Sequence, residues 1–97
     1  SQALSHEMAY WSVRRRLSNQ LESLADRYGT PTFAGGVVIN RTFTQTDLAE
    51  MIGATRQTVS ELLAGLTRDG VLGQRRRRIV VLDAGALASF GDPSCSI

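Results

Sequence analysis

TQTDLAEMIGATRQTVSELLAGLTRDG, residues 44–70, holds two helix signatures end to end. Thr44 precedes Asp47 by three positions, an S/T-x-x-acid start signal. The hydroxyl can cap orphan N–H groups while the acid suits the positive helix end. The capping box prefers Glu or Gln at its last position, so this version is the weaker one. Leu48, Ala49, Met51 and Ile52 supply an apolar face, and Gly53 ends the helix after about two turns by entering the left-handed region at low cost. Thr55 caps a second helix in which Val59, Leu62, Leu63 and Leu66 repeat at i, i+3, i+4, i+7, until Asp69-Gly70 breaks it. Two short helices joined by a glycine-containing turn form a helix-turn-helix. That geometry needs a small residue at the crossing (Ala49), a glycine in the turn (Gly53), and inward apolar residues on both helices (Leu48, Ile52, Val59, Leu62). An ordinary helical hairpin would share the leucine spacing but not this full set of offsets.

The second helix then turns Thr55, Arg56, Gln57, Ser60 and Glu61 outward. A recognition helix reads bases from its N-terminal turns. Arg56 can pair with guanine O6 and N7, Gln57 with adenine N6 and N7, and Glu61 can accept from cytosine N4. Ser60 shares that face. Thr44, Thr55 and Thr58 are candidates for phosphate contact through hydroxyl or backbone N–H. Each residue taken singly also fits a solvated polar face, and Glu61 has a second role open to it, pairing with Arg56 to hold that side chain in place.

Outward from this pair, residues 4–28 read as a helix. Leu4, Met8 and Trp11 fall at one spacing and Leu17, Leu21, Leu24 and Tyr28 at a similar one. The stripe shifts between Trp11 and Leu17, which suggests a kink near Ser12. Gly29 and Pro31 stop the helix. Thr30–Gly36, containing Phe33, reads as a loop and Val37–Asn40 as a short strand. Val71-Leu72, Gly73–Arg78 and Ile79–Leu82 read as strand, turn and strand, with Gln74–Arg78 at the tip. In a strand the run Arg75, Arg76, Arg77, Arg78 would alternate, two side chains toward DNA phosphates and two flanking the edge. Blunting a sheet edge is the competing use of such charges. The run lacks the Gly or Asn of a tight hairpin turn. Ala84–Phe90 reads as a short helix and the tail from Asp92-Pro93 as frayed. The class is α+β.

Length and composition agree. Ninety-seven residues make one small domain, and 42% hydrophobic with 21% charged residues is globular, not disordered. No apolar run, Ile79–Leu82 included, exceeds four residues, too short to span a membrane, and no secretory leader is visible. Because the chain opens on Ser1, a piece of something longer is expected. Cys95 alone excludes an internal disulfide or a paired-cysteine zinc site, and His6 alone excludes a histidine cluster. The net charge is only +2, and all eleven basic residues are arginine, which coding bias also produces. Position says more: residues 53–82 carry six arginines against Glu61 and Asp69, whereas 83–97 are net negative. Cation concentrated on one helix and one hairpin points to a polyanion.

With these elements in place, the segments RRLSNQLESLA (15–25), FTQTDLAEMIGATRQTVSELLAGLTRDGVL (43–72) and RRIVVLDAGAL (77–87) make the chain resemble the C-terminal winged helix-turn-helix domain of the cyclic-AMP receptor/fumarate-nitrate regulator (Crp/Fnr) family of bacterial transcription factors. The resemblance implies that Val13 and Arg14 start a helix near a DNA phosphate. It implies that a recognition helix 55–67 enters the major groove with Arg56 reading bases, and that 71–82 forms a wing on the backbone. It also implies that the loop Gly29–Gly36 touches RNA polymerase in activators. Many members carry Glu where this chain has Gln57 and Arg where it has Glu61, so the family's usual half-site is not expected. The family's effector-binding domain and most of its dimerisation helix are not in this chain. Residues 1–12 read as a hinge at the end of that helix, 13–90 as the DNA-binding domain and 91–97 as a tail.

The expected partner is therefore double-stranded DNA with a pseudo-palindromic operator, bound by a homodimer of the full-length protein in the bacterial cytoplasm. No membrane contact is expected, and no cofactor in this stretch. A winged-helix module that binds protein instead of DNA is the alternative. An enzyme has no support: His6 and Cys95 lie at opposite chain ends, Asp47 serves a cap, and Cys95 has no cationic neighbour to lower its pKa.

Overall fold

The computed structural model describes the backbone of residues 2–32 and 35–92 and the side chains of 11–32 and 35–92. Helix α1 runs unbroken over Gln2–Tyr28, so Val13 and Arg14 lie inside it and do not start it, and the helix continues through Ser12. Leu17, Leu21 and Leu24 fall on one face at i, i+4, i+7 and are buried. The expectations for Leu4, His6 and Met8 concern side chains outside the described residues, as do those for Phe33 and Cys95.

The chain passes directly from α1 into strand β1, Gly29–Pro31, where a loop was expected. Gly29 makes that junction possible. A Cβ there would stand 2.1 Å from the Ala25 carbonyl oxygen and 2.6 Å from Val37 Cγ1. Strand β2 (Val37–Ile39) follows, then helix α2 (Gln45–Ile52) and helix α3 (Arg56–Arg68). A hairpin of β3 (Leu72–Arg75) and β4 (Arg78–Val81) precedes helix α4 (Ala84–Phe90). The four strands form one antiparallel sheet ordered β1-β2-β4-β3. Four helices with this small sheet make an α+β winged helix-turn-helix.

One core joins the parts. Leu17, Leu21 and Leu24 from α1 meet Leu48, Ala49 and Ile52 from α2, Val59, Leu62 and Leu66 from α3, and Ile39, Leu72 and Val81 from the inner sheet face. Fully burying each large side chain stabilises by about 1.5–3 kcal/mol. Met51, expected on the apolar face of α2, is 45% exposed instead. Helix α4 is pinned onto α1: the buried Ser18 hydroxyl donates to the Leu87 carbonyl at 2.7 Å, and Arg14 Nε–H donates to the Phe90 carbonyl at 3.0 Å. Arg16 Nε–H donates to the Ile52 carbonyl at 2.7 Å, placing a cation at the negative end of α2.

The hairpin differs from its expected form. Strand pairing continues to Arg75 opposite Arg78, so only Arg76 and Arg77 turn the chain. Both sit at positive φ, 50° and 67°, as a two-residue type I′ turn demands. Val71 precedes the ribbon and Leu82 follows it.

Candidate nucleic-acid interface

Local chemistry holds the helix pair in place. Thr44 Oγ1 accepts from the Asp47 N–H at 3.0 Å, and the Asp47 carboxylate accepts from the Thr44 N–H at 2.9 Å, a complete capping box. The backbone and side-chain hydrogen bonds from Thr44 hold the Asp47 carboxyl below its ordinary range, against a small opposing effect of desolvation. Gly53 reverses the chain at φ 69°, and the Ala54 N–H closes onto the Ala49 carbonyl at 2.9 Å. Thr55 then caps α3: its hydroxyl accepts from the Thr58 N–H at 3.2 Å and donates to Thr58 Oγ1 at 2.9 Å.

The two helix starts are electrostatically unlike. Asp47 places an anion in the first turn of α2, whereas α3 has no acid in its first turn. The N–H groups of Arg56 and Gln57 have no intrahelical acceptor, because the first four of any helix lack one. An anion is therefore favoured at α3 and already supplied at α2. Thr44 and Thr55 both commit their oxygen lone pairs to caps.

Arg56, Gln57 and Glu61 are exposed side by side on the first two turns of α3. Among the described residues no ion pair joins Arg56 to Glu61; Arg68 Nε instead stands 3.7 Å from Asp69 Oδ1. Ser60 and Thr58 are only half exposed. Ser60 lines a groove of about 520 Å³ between α3 and the hairpin, together with Thr67, Arg68, Gln74 and Arg77. Sequence reasoning missed Arg68, Thr67 and Gln74, whose place in the groove depends on how the ribbon leans over α3. Of the arginine run only Arg77 borders this groove. Arg75, Arg76 and Arg78 border a second groove on the other side of the sheet, which replaces the simple two-and-two alternation. Arg14 is engaged internally, its guanidinium 4.2 Å from the Trp11 ring centroid and 4.1 Å from that of Phe90, a stacked cation–π position.

Comparison with known proteins decides the family. Residues 15–90 match the family described as the Crp-like helix-turn-helix domain. The chain belongs to that family. This Crp-like domain is 29% identical over 82 residues to the CRP-like cAMP-activated global transcriptional regulator of Mycobacterium tuberculosis (strain H37Rv), covering 84% of this chain and 36% of the relative. Among solved structures, the CO-dependent transcription factor CooA from Carboxydothermus hydrogenoformans superposes with TM-score 0.77 at 27% identity, over 95% of this chain and 42% of that one. A CRP-family transcriptional regulator from Thermus thermophilus gives TM-score 0.71 at 27% identity, over 87% of this chain and 44% of that one. The Crp-like domain thus spans well under half the length of these regulators. Among its described residues, no helix is long and apolar enough to cross a membrane, and no three His, Cys, Asp or Glu side chains gather as a metal site.

Proposed function

We propose that this Crp-like domain binds double-stranded DNA sequence-specifically, with α3 in the major groove and the β3–β4 hairpin beside the backbone. One observation carries the reading: the acid-free first turn of α3 presents Arg56 and Gln57 to solvent next to a groove that also holds Arg77 and Arg68. Arg56, Gln57 and Glu61 read base edges, with Ser60 at the groove wall, while the Thr58 hydroxyl, Arg77 and the Thr55 backbone N–H at the start of α3 meet phosphates. Thr44, beside an ionised Asp47, is a weaker phosphate donor than its position in sequence suggests. Residues 1–12 belong to a linker helix from an effector domain. Two copies in a full-length homodimer occupy successive major grooves of a pseudo-palindromic operator in the bacterial cytoplasm. In an activator, the segment Gly29–Gly36 is the one that would meet RNA polymerase. The domain carries no catalytic role; its relatives are named as transcription regulators.

Selection of duplexes from a random pool with the 97-residue chain, followed by titration at low salt, tests this. A recovered consensus bound more tightly than random duplex supports the reading. Absence of duplex binding down to low salt overturns it in favour of a protein-binding module.

A further inference from the structure

Helix α4 has no part in the duplex contacts proposed above, yet its carboxyl end is seated closely on α1. The buried residues of α1 begin at Leu17. Ahead of them Trp11, Val13 and Arg14 are partly buried, and Val13 and Phe90 pack at the margin of the core. Arg14 ties the two helices together in two ways. Its Nε–H donates to the Phe90 carbonyl at 3.0 Å, and its guanidinium lies over the Trp11 and Phe90 rings, 4.2 and 4.1 Å from their centroids. One cation thus joins a residue a turn back on α1 to the last residue of α4. The Ser18 hydroxyl bond to the Leu87 carbonyl continues the seam.

Gly91 gives the measure of this approach. Its φ of −90° suits any residue, so backbone conformation does not call for glycine there. Space does: a Cβ would stand 3.0 Å from both Arg15 Cα and Ser18 Cβ. Neither atom is the free end of a flexible side chain, so an added methyl would push the helices apart.

The two partners support each other. Seven residues are too few for a helix that is stable alone, so α4 exists through its seat on α1. In return α4 braces a weak stretch of α1. The apolar stripe shifts between Trp11 and Leu17, and Ser12 is a poor mid-helix residue whose hydroxyl accepts from Arg16 Nη1–H.

We propose that the carboxyl end of α4 is a latch on α1. Shut, it keeps the arm ahead of Leu17 stiff and in line with the part of α1 fixed in the core. Open, α4 and the turn of α1 around Ser12 loosen together. Trp11, Arg14 and Phe90 are the positioning residues, and Gly91 admits the close approach. The coupling is reciprocal: capture of the end of α4 frees the arm, and bending the arm releases α4. The latch needs no duplex, so it stands or falls apart from the DNA-binding reading.

Trp11 is the chain's single tryptophan, and its fluorescence reports on the latch directly. Acrylamide quenching is measured on the 97-residue chain beside residue-resolved amide exchange. Phe90→Leu keeps apolar bulk and removes the ring, Phe90→Tyr keeps the ring, and Gly91→Ala leaves the stack intact while wedging the helices. Phe90→Leu and Gly91→Ala should each make Trp11 more accessible to quencher. Both should speed exchange on the order of tenfold in α4 and residues 9–14 together, the scale of one partly desolvated cation–π contact. Helices α2 and α3 should keep wild-type protection, and Phe90→Tyr should match wild type throughout. The latch is overturned if α4 loosens while Trp11 and residues 9–14 do not, if Phe90→Leu behaves as wild type, or if α2 and α3 lose protection to the same degree.

Discussion

Arg56 and the pair Arg76–Arg77 illustrate opposite uses of one residue type. Arg56 sits in relaxed helix at the start of α3, exposed, where its fork can meet a guanine edge. Replacing it by Ala should cost about 1–3 kcal/mol on the selected duplex and almost nothing on random duplex. Competition anisotropy with both DNAs checks this, and equal loss on the two would remove Arg56 from the base-reading set. Arg76 and Arg77 hold φ of 50° and 67°, conformations that bulky side chains rarely adopt. Asn and Gly are the favoured residues for such a turn. Arg76→Asn with Arg77→Gly should therefore stabilise the domain by about 1–2 kcal/mol, a rise in melting temperature of several degrees at this size. The same change should weaken duplex binding and lower its salt slope. Thermal melts and anisotropy on one preparation measure both. The arginine exposure on α3 was legible from the 3.6-residue period alone. The turn was not, because arginine carries no turn signal and its position follows from the Arg75–Arg78 register.

Among the elements, helices α2 and α3 follow closely from their sequence because each end is specified locally. Thr44 with Asp47, Gly53 and Thr55 act within four residues of where they stand. Asp47 also predicts a pH response. Its folded-state pKa is depressed, so its contribution is present above the unfolded value, 3.8, and is lost as pH falls through the folded value. Amide exchange in the first turn of α2 should quicken below about pH 4, and Asp47→Asn should flatten that dependence. Strand β1 was illegible because Gly29-Thr30-Pro31 has no apolar alternation. It exists through pairing with β2, and Pro31 is tolerated because β1 is a sheet edge. Gly29→Ala should destabilise by about 1–3 kcal/mol, an overpacking cost, since the added methyl overlaps the Ala25 carbonyl. Urea denaturation measures it; an unchanged midpoint would mean the helix end shifts freely. The division of the arginines between two grooves was equally hidden. It depends on the hairpin register, and a one-residue slip exchanges the faces.

At the scale of the whole molecule, α4 closes the domain through a few polar contacts onto α1. Ser18 is 2% exposed and gives its proton to Leu87. Ser18→Ala leaves that carbonyl without its donor and should cost about 1–3 kcal/mol. The loss should show as early amide exchange in α4 while α2 and α3 stay protected; uniform loss of protection would mean that α4 is no separate unit. Helix α1, 27 residues or ~40 Å long, reaches well beyond this contact. Its Leu17 and Leu21 share the core of the helix pair, and Arg16 grips the last carbonyl of α2. Those ties weld α1 to the helix pair. A torque applied to its amino-terminal turns must swing α2 and α3 bodily, like a key turned by its shaft, and cannot rotate α3 within its socket.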